Sequence, residues 1–204
     1  MKRKRKMHSL PFDEQLEALL ELAGTRRVGQ NDRRYLQVYP DLLRGIQGIL
    51  PLDRPKLMVA AHAIFGWMPT GLRVTMKTFD KALAILQQNP IEPSLPKLKR
   101  LAETFKTIRG KKSVVAASKI LHFIDPERFP IWDSVVAARW GLPSNGDTAS
   151  ANYHGFIDAC RRFAEDERGK EACEVLRLRL PQHDYNNQMT RMRLIELILF
   201  LPPR

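Results

Sequence analysis

Apolar residues recur every three or four positions along most of this 204-residue chain, and that spacing predicts amphipathic helices. The stripe is clear near the start, where Phe12, Leu16, Leu19 and Ala23 would share one helical face. No segment alternates apolar and polar residues in the way that a half-buried strand does. We therefore expect an all-α fold. Three prolines within residues 89–96 predict a connector between two helical lobes.

The most informative stretch covers residues 108–141, where a basic turn precedes two helical segments. Gly110 lets the chain turn tightly, and Ser113 is suited to cap the helix that follows it. Pro126 and Pro130 exclude one continuous helix, so a second helix is predicted to begin at Asp133. The stretch therefore holds a carboxylate at a helix start, with a cluster of cationic side chains earlier in the chain.

The chain is strongly basic, because 34 lysine and arginine residues stand against 22 aspartate and glutamate residues and give a net charge of +12. A polyanion is the natural partner of such a protein, and we expect double-stranded DNA. Residues 1–8 form a compact basic segment that predicts a disordered arm able to contact phosphates. Residues 9–204 would then form the helical domain.

Composition also argues against several other classes of protein. No apolar run approaches the roughly 18 residues that a membrane-spanning helix needs, and no signal-peptide pattern follows the basic start. The two cysteines, Cys160 and Cys173, have no further ligands at metal-binding spacing, so we expect buried thiols, no metal and no cofactor. A cytoplasmic, nucleoid-associated monomer is the expected state.

The basic turn and the segment around the carboxylate resemble known motifs. Residues 108–112, Ile-Arg-Gly-Lys-Lys, are similar to the hairpin of the helix-hairpin-helix DNA glycosylase superfamily, which includes endonuclease III and the 8-oxoguanine DNA glycosylases. Residues 113–117 resemble the start of the second helix of that motif. Residues 129–136, Phe-Pro-Ile-Trp-Asp-Ser-Val-Val, resemble the segment that carries the catalytic aspartate. The closest likeness, within about residues 96–141, is to small 8-oxoguanine-DNA-glycosylase-like proteins of bacteria and archaea.

The resemblance implies that Asp133 is a catalytic carboxylate. A buried carboxylate can stabilise the positive charge that develops on a sugar as its glycosidic bond breaks. The alternative is that Asp133 only caps its helix, which aspartate does well. The resemblance also implies phosphate contacts from the residues of the hairpin, through backbone amides and cationic side chains. These residues are Arg109, Gly110, Lys111, Lys112 and Ser113.

A glycosylase also needs aromatic side chains against which a flipped base can stack. The candidates for this base pocket are Trp67, Phe129 and Trp132, and each of them could instead be a residue of the core.

The chain departs from the family pattern at two places. The second glycine of the hairpin is absent, and Lys111 and Lys112 stand in its place. Bifunctional members carry a Schiff-base lysine about 18 residues before the aspartate, and here that position is Val115. Lys119 comes one turn later, and we expect it to face another side of the helix. The prediction is therefore a monofunctional N-glycosylase that uses Asp133 and water and has no lyase activity.

Two other functions remain open from the residues alone. The protein could be a non-catalytic DNA-binding protein that reuses the fold. It could also be a phage-defence protein that senses DNA modification. A cavity beside Asp133 large enough for a nucleobase would favour the enzyme.

Overall fold

The structure of the protein is a computed structural model, and it describes residues 6–87, 93–180 and 189–203. Ten α-helices hold most of these residues, so the all-α prediction is confirmed. In chain order the helices are α1 (Phe12–Thr25), α2 (Gln30–Gln47), α3 (Arg54–Trp67), α4 (Met76–Leu86), α5 (Leu95–Thr104), α6 (Val114–Ile124), α7 (Ser134–Trp140), α8 (Ala149–Glu165), α9 (Glu167–Arg177) and α10 (Arg191–Phe200). The first half of the predicted connector, residues 89–92, lies outside the described residues.

Side-chain caps set where several of these helices begin. At each of them a side-chain oxygen accepts a hydrogen bond from a backbone amide in the first turn, which satisfies a donor that has no partner inside the helix. The capping residues are Asp53, Thr75, Ser113, Asp133, Asp166 and Thr190. The predicted starts after Ser113 and at Asp133 are confirmed.

A short antiparallel ribbon interrupts the helical pattern. It pairs β1 (Leu72–Arg73), which lies between α3 and α4, with β2 (Lys106–Thr107), which lies between α5 and the Gly110 turn. Strands of two residues are too short to show the alternation of apolar and polar residues that marks a strand in a sequence. The expectation that the chain lacks strands is therefore wrong at this point. The Gly110 turn itself has a φ of 76°, a conformation that glycine adopts without strain.

α10 is a deeply buried helix. It contacts α1, α7, α8 and α9, and every residue from 192 to 199 is buried. A helix that is apolar on nearly all sides is stable only in an interior. Two charged residues of this helix, Arg193 and Glu196, are held in the interior by the same packing.

The loop between α6 and α7 is pinned to α6 by buried hydrogen bonds. Ser118 Oγ donates to the Trp132 carbonyl at 3.1 Å, and the Trp132 amide donates to Ser118 Oγ at 3.0 Å. Burial lowers the pKa of His122 to about 3, so its ring is neutral. Nδ1 of this ring donates to the Phe129 carbonyl at 2.7 Å, and Nε2 accepts from the Tyr39 hydroxyl at 2.9 Å. The start of α7 is thereby fixed relative to α6.

The last residues of the predicted basic arm pack against the helical domain. Met7–Ser9 form a short 3-10 helix, Met7 is buried, and this segment packs against the end of α7. His8 Nδ1 lies 3.1 Å from the Trp140 carbonyl oxygen. The anchor is possible because Gly141 has no side chain, since a Cβ there would lie 2.6 Å from Lys6 Cβ. Residues 1–5 lie outside the described residues.

Candidate active site

A cavity of about 420 Å³ opens where the ends of α3, α6, α7 and α10 meet. Small-molecule sites in proteins commonly enclose about 300–1,000 Å³, so the volume is adequate for a nucleobase-sized ligand. The lining contains one aspartate, one glutamate, two lysines, one arginine and three aromatic side chains. The residues used below are Tyr35, Trp67, Thr70, Lys112, Ser113, Val115, Lys119, Asp133, Arg193, Glu196 and Phe200.

Asp133 is oriented by the helix that it caps. Its Oδ1 accepts hydrogen bonds from the amides of Val135 and Val136, both at 2.8 Å. Oδ2 has no hydrogen-bond partner among the described residues. Asp133 is 9% exposed and lines the cavity. Asp133 can therefore cap its helix through Oδ1 and present Oδ2 to the cavity at the same time.

Lys119 lines the same cavity as Asp133 and Val115. The expectation that it faces elsewhere is wrong, because four residues advance a helix by about 400°, which is only about 40° beyond a full turn. Its ammonium group donates to the Met68 carbonyl at 3.0 Å and to Thr70 Oγ1 at 2.7 Å. The side chain is 3% exposed. A buried amine therefore lies on the wall that Asp133 also lines.

Burial lowers the pKa of the Lys119 ammonium group from 10.5 to about 8. The carboxylates of Asp133 and Glu196 oppose this shift but do not cancel it. At pH 7.5 roughly a quarter of such a lysine is neutral, against about one in a thousand for an ordinary lysine. A neutral amine is the form of lysine that acts as a nucleophile.

An ion pair that the sequence patterns did not predict reaches the cavity from α10. Arg193 Nη1 donates a hydrogen bond to Glu196 Oε2, and both side chains are almost fully buried. Burial raises the pKa of the Glu196 carboxyl to about 7, although the guanidinium beside it acts in the opposite direction. The Arg193 guanidinium carbon lies 4.9 Å from the ring centre of Tyr39 and 5.8 Å from that of Trp67. The available signal was an arginine and a glutamate three positions apart in an otherwise apolar helix.

The three predicted stacking residues separate into two groups. Trp67 is half-buried, lines the cavity and donates from Nε1 to the Tyr35 carbonyl at 3.1 Å. Phe129 and Trp132 are completely buried and do not line it. Trp132 packs against Phe156 with ring centres 5.0 Å apart, which places it in the core between the α6–α7 loop and α8. The assignment of Phe129 and Trp132 to a base pocket is corrected accordingly.

The hairpin borders the cavity, but its amides at the turn are already bonded. The Gly110 amide donates to the Thr107 carbonyl at 2.8 Å, and the Lys111 amide donates to Thr107 Oγ1 at 3.1 Å. Arg109 and Lys111 are exposed at the turn. Any phosphate contact at the turn would therefore come from these side chains, and not from the two amides.

Lys112 and Ser113 lie at the mouth and wall of the cavity. Lys112 pairs with Glu103 at 2.9 Å, and this hydrogen-bonded carboxylate raises the pKa of the lysine. Both side chains are about half exposed, so the pair is weak and a phosphate could compete for the lysine. Ser113 caps α6 by accepting from the Ala116 amide at 3.2 Å.

Other kinds of site are not found in the part of the chain that the structure describes. There, no three His, Cys, Asp or Glu residues come close enough to hold a metal ion. Cys160 and Cys173 are free and buried, as expected. No helix within residues 6–87, 93–180 and 189–203 is long and apolar enough to cross a bilayer.

Comparisons with known proteins identify no relative. No protein-family model, no curated protein and no solved structure matches this chain. The case for a function therefore depends on the cavity.

Proposed function

We propose that this protein is a DNA N-glycosylase of the helix-hairpin-helix type, and that the cavity beside Asp133 receives a base flipped out of the duplex. The observation that carries the proposal is a carboxylate with an unbonded oxygen and a buried amine in one cavity of about 420 Å³. The basic hairpin at its mouth and the net charge of +12 favour a DNA partner. The resemblance of residues 96–141 to glycosylase motifs agrees with this chemistry.

Asp133 would stabilise the transition state of bond cleavage. As the bond between C1′ and the base nitrogen lengthens, positive charge develops on the sugar and the bonding electrons leave with the base. An oriented carboxylate in a cavity shielded from water stabilises that charge strongly. Because the helix N-terminus holds Oδ1 in place, Oδ2 needs little reorganisation during the reaction.

Lys119 is the nucleophile that we favour over water. Its neutral amine would attack C1′ as the base departs, so that a C–N bond to lysine replaces the glycosidic bond, and loss of a proton from nitrogen followed by ring opening gives a Schiff base. Strand cleavage would then follow. This reverses the sequence-based expectation of a glycosylase without lyase activity, because that expectation assumed that Lys119 faced away from Asp133.

Aromatic side chains would hold the base. Trp67, Tyr35 and Phe200 line the cavity, and stacking on an aromatic ring contributes about 1–3 kcal/mol for each base. Arg193 and Glu196 provide polar groups on the same wall.

The test is an excision screen on duplex oligonucleotides that carry damaged bases or phage-type modified bases, with borohydride added to trap a Schiff base. Asp133→Asn should keep the fold, because asparagine also caps helices, and should lower excision by orders of magnitude. Asp166→Asn is the matched control, because Asp166 caps α9 in the same way and does not line the cavity. It should excise at the parental rate.

Three results would redirect the proposal. Parental excision by Asp133→Asn would make Asp133 a structural cap only. If duplexes bind but none is excised or trapped, the protein is a non-catalytic DNA-binding protein. Loss of the trapped complex in Lys119→Ala, with free base still released, would identify water as a competent substitute nucleophile.

A further inference from the structure

A second, strongly basic groove lies between α4 and α5. It measures about 730 Å³, and the β1–β2 ribbon and the Gly110 turn border it. It shares no lining residue with the cavity beside Asp133. The groove is lined by Arg73, Thr75, Lys77, Thr78, Lys81, Ala84, Ile85, Arg100, Glu103, Thr104, Lys106 and Gly110.

Five exposed cations line this groove, and the structure gives none of them an ion pair within the described residues. They are Arg73, Lys77, Lys81, Arg100 and Lys106. The one carboxylate among the described residues of the groove, on Glu103, is paired with Lys112. Like charges that crowd together raise the energy of the folded protein, and a bound polyanion relieves the repulsion.

The N-terminus of α4 adds to the positive potential. Thr75 and Thr78 both line the groove and form the capping box of this helix, with the Thr75 amide donating to Thr78 Oγ1 at 3.0 Å. The N-terminal end of a helix carries about half a positive charge. Helix and side chains therefore attract anions to the same place.

The ribbon sets the groove beside the cavity. Successive residues of a strand point to opposite faces, and on β2 Lys106 lines the groove while Thr107 lines the cavity. The hairpin also contributes to both sites, since Gly110 borders the groove and Lys112 borders the cavity. A nucleic-acid strand with one nucleotide in the cavity would have neighbouring phosphates within reach of the groove.

The two sites differ in a way that indicates which part of a nucleic acid each would contact. Three aromatic side chains line the cavity, whereas no described residue of the groove is aromatic. Sites for unstacked bases use aromatic platforms, and sites for the backbone of a duplex use cations and hydrogen-bond donors without needing an aromatic ring. We infer that the groove between α4 and α5 binds the phosphate backbone of duplex DNA beside the nucleotide held in the cavity. This inference rests on the proposed function, because it takes DNA as the substrate.

The experiment measures the affinity of the full chain for a fluorescent DNA duplex over a range of salt concentrations. Lys77→Ala, Lys81→Ala and Arg100→Ala are combined in one groove variant, and all three side chains are exposed, so the fold should survive. The slope of log affinity against log salt should become shallower by two to three units, about 0.9 for each lost phosphate contact.

A control variant separates this site from a general effect of net charge. Arg44→Ala, Arg161→Ala and Lys170→Ala remove the same charge from exposed or half-buried positions that line neither site. This variant should change the slope by less than about one unit. Equal losses in the two variants, or a groove variant with the parental slope, would overturn the inference.

The outcomes also separate this inference from the proposed function. If the groove variant binds DNA with the shallower salt slope but the parent excises no base, the groove is a DNA-binding site and the proposed enzymatic function is wrong. If the parent excises a base and the groove variant binds DNA with the parental salt slope, the enzymatic function is supported and the groove is not a DNA-binding site. Tighter binding of single-stranded DNA or of RNA than of the duplex would overturn the assignment to duplex backbone.

Discussion

Replacement of Lys119 by methionine should stabilise the protein while it abolishes Schiff-base formation. The two side chains are similar in length, so the change mainly removes a buried charge. Burial lowers the pKa of Lys119 from 10.5 to about 8. Since one pKa unit corresponds to about 1.4 kcal/mol, the charged amine lowers the free energy of unfolding by about 3 kcal/mol at neutral pH. The Met68 carbonyl and the Thr70 hydroxyl lose a donor, so we expect a net gain of about 1–3 kcal/mol.

The gain should depend on pH in a defined direction. Because the pKa of Lys119 is lower in the folded protein, the unfolded chain binds more protons between pH values of about 8 and 10.5. The parent therefore becomes more stable as the pH rises through that window. The advantage of Lys119→Met should fall by about 2.5 kcal/mol between pH 7 and pH 10, so that little or none of it remains at pH 10.

Urea denaturation followed by circular dichroism measures these differences. Lys99→Met is the matched control, because Lys99 is exposed on α5, and its effect should stay within about 0.5 kcal/mol. A destabilised Lys119→Met at neutral pH would refute the reasoning. In that case the hydrogen bonds of Lys119 to the loop after α3 would be a structural tie whose value exceeds the cost of burying the charge.

Three further predictions concern the same region and the arm. The rate of borohydride trapping should rise about tenfold per pH unit and level off above a pH of about 8, as the neutral fraction of Lys119 does, and a rate that does not vary with pH would contradict an amine nucleophile. Glu196→Gln should remove the fall in stability that the raised pKa of Glu196 causes in the parent as the pH rises from about 4.5 to about 7, and a variant that keeps the parental pH profile in urea would contradict this. Gly141→Ala should cost about 1–3 kcal/mol, because its φ is 93° and a Cβ would meet Lys6, and an unchanged thermal midpoint would show that this contact is not made.

Local features of this protein follow from its sequence. The helical class, the turn at Gly110, the cap at Ser113 and the start of α7 at Asp133 could all be predicted. Each depends on hydrogen bonds or steric limits among residues within about four positions of one another, and a sequence pattern records such limits directly. The two buried thiols could be predicted for a similar reason, because they lie on apolar helical faces.

The composition of the cavity depends on the tertiary structure. Arg193 and Glu196 reach Asp133 because α10 packs against α7, across some sixty residues of chain, and no local pattern records that contact. The same packing decides which aromatic side chains are sealed in the core, as Phe129 and Trp132 are, and which reach the cavity, as Trp67 does. Burial by distant helices also lowers the pKa of Lys119, because the cost of removing a charge from water is set by everything that surrounds it.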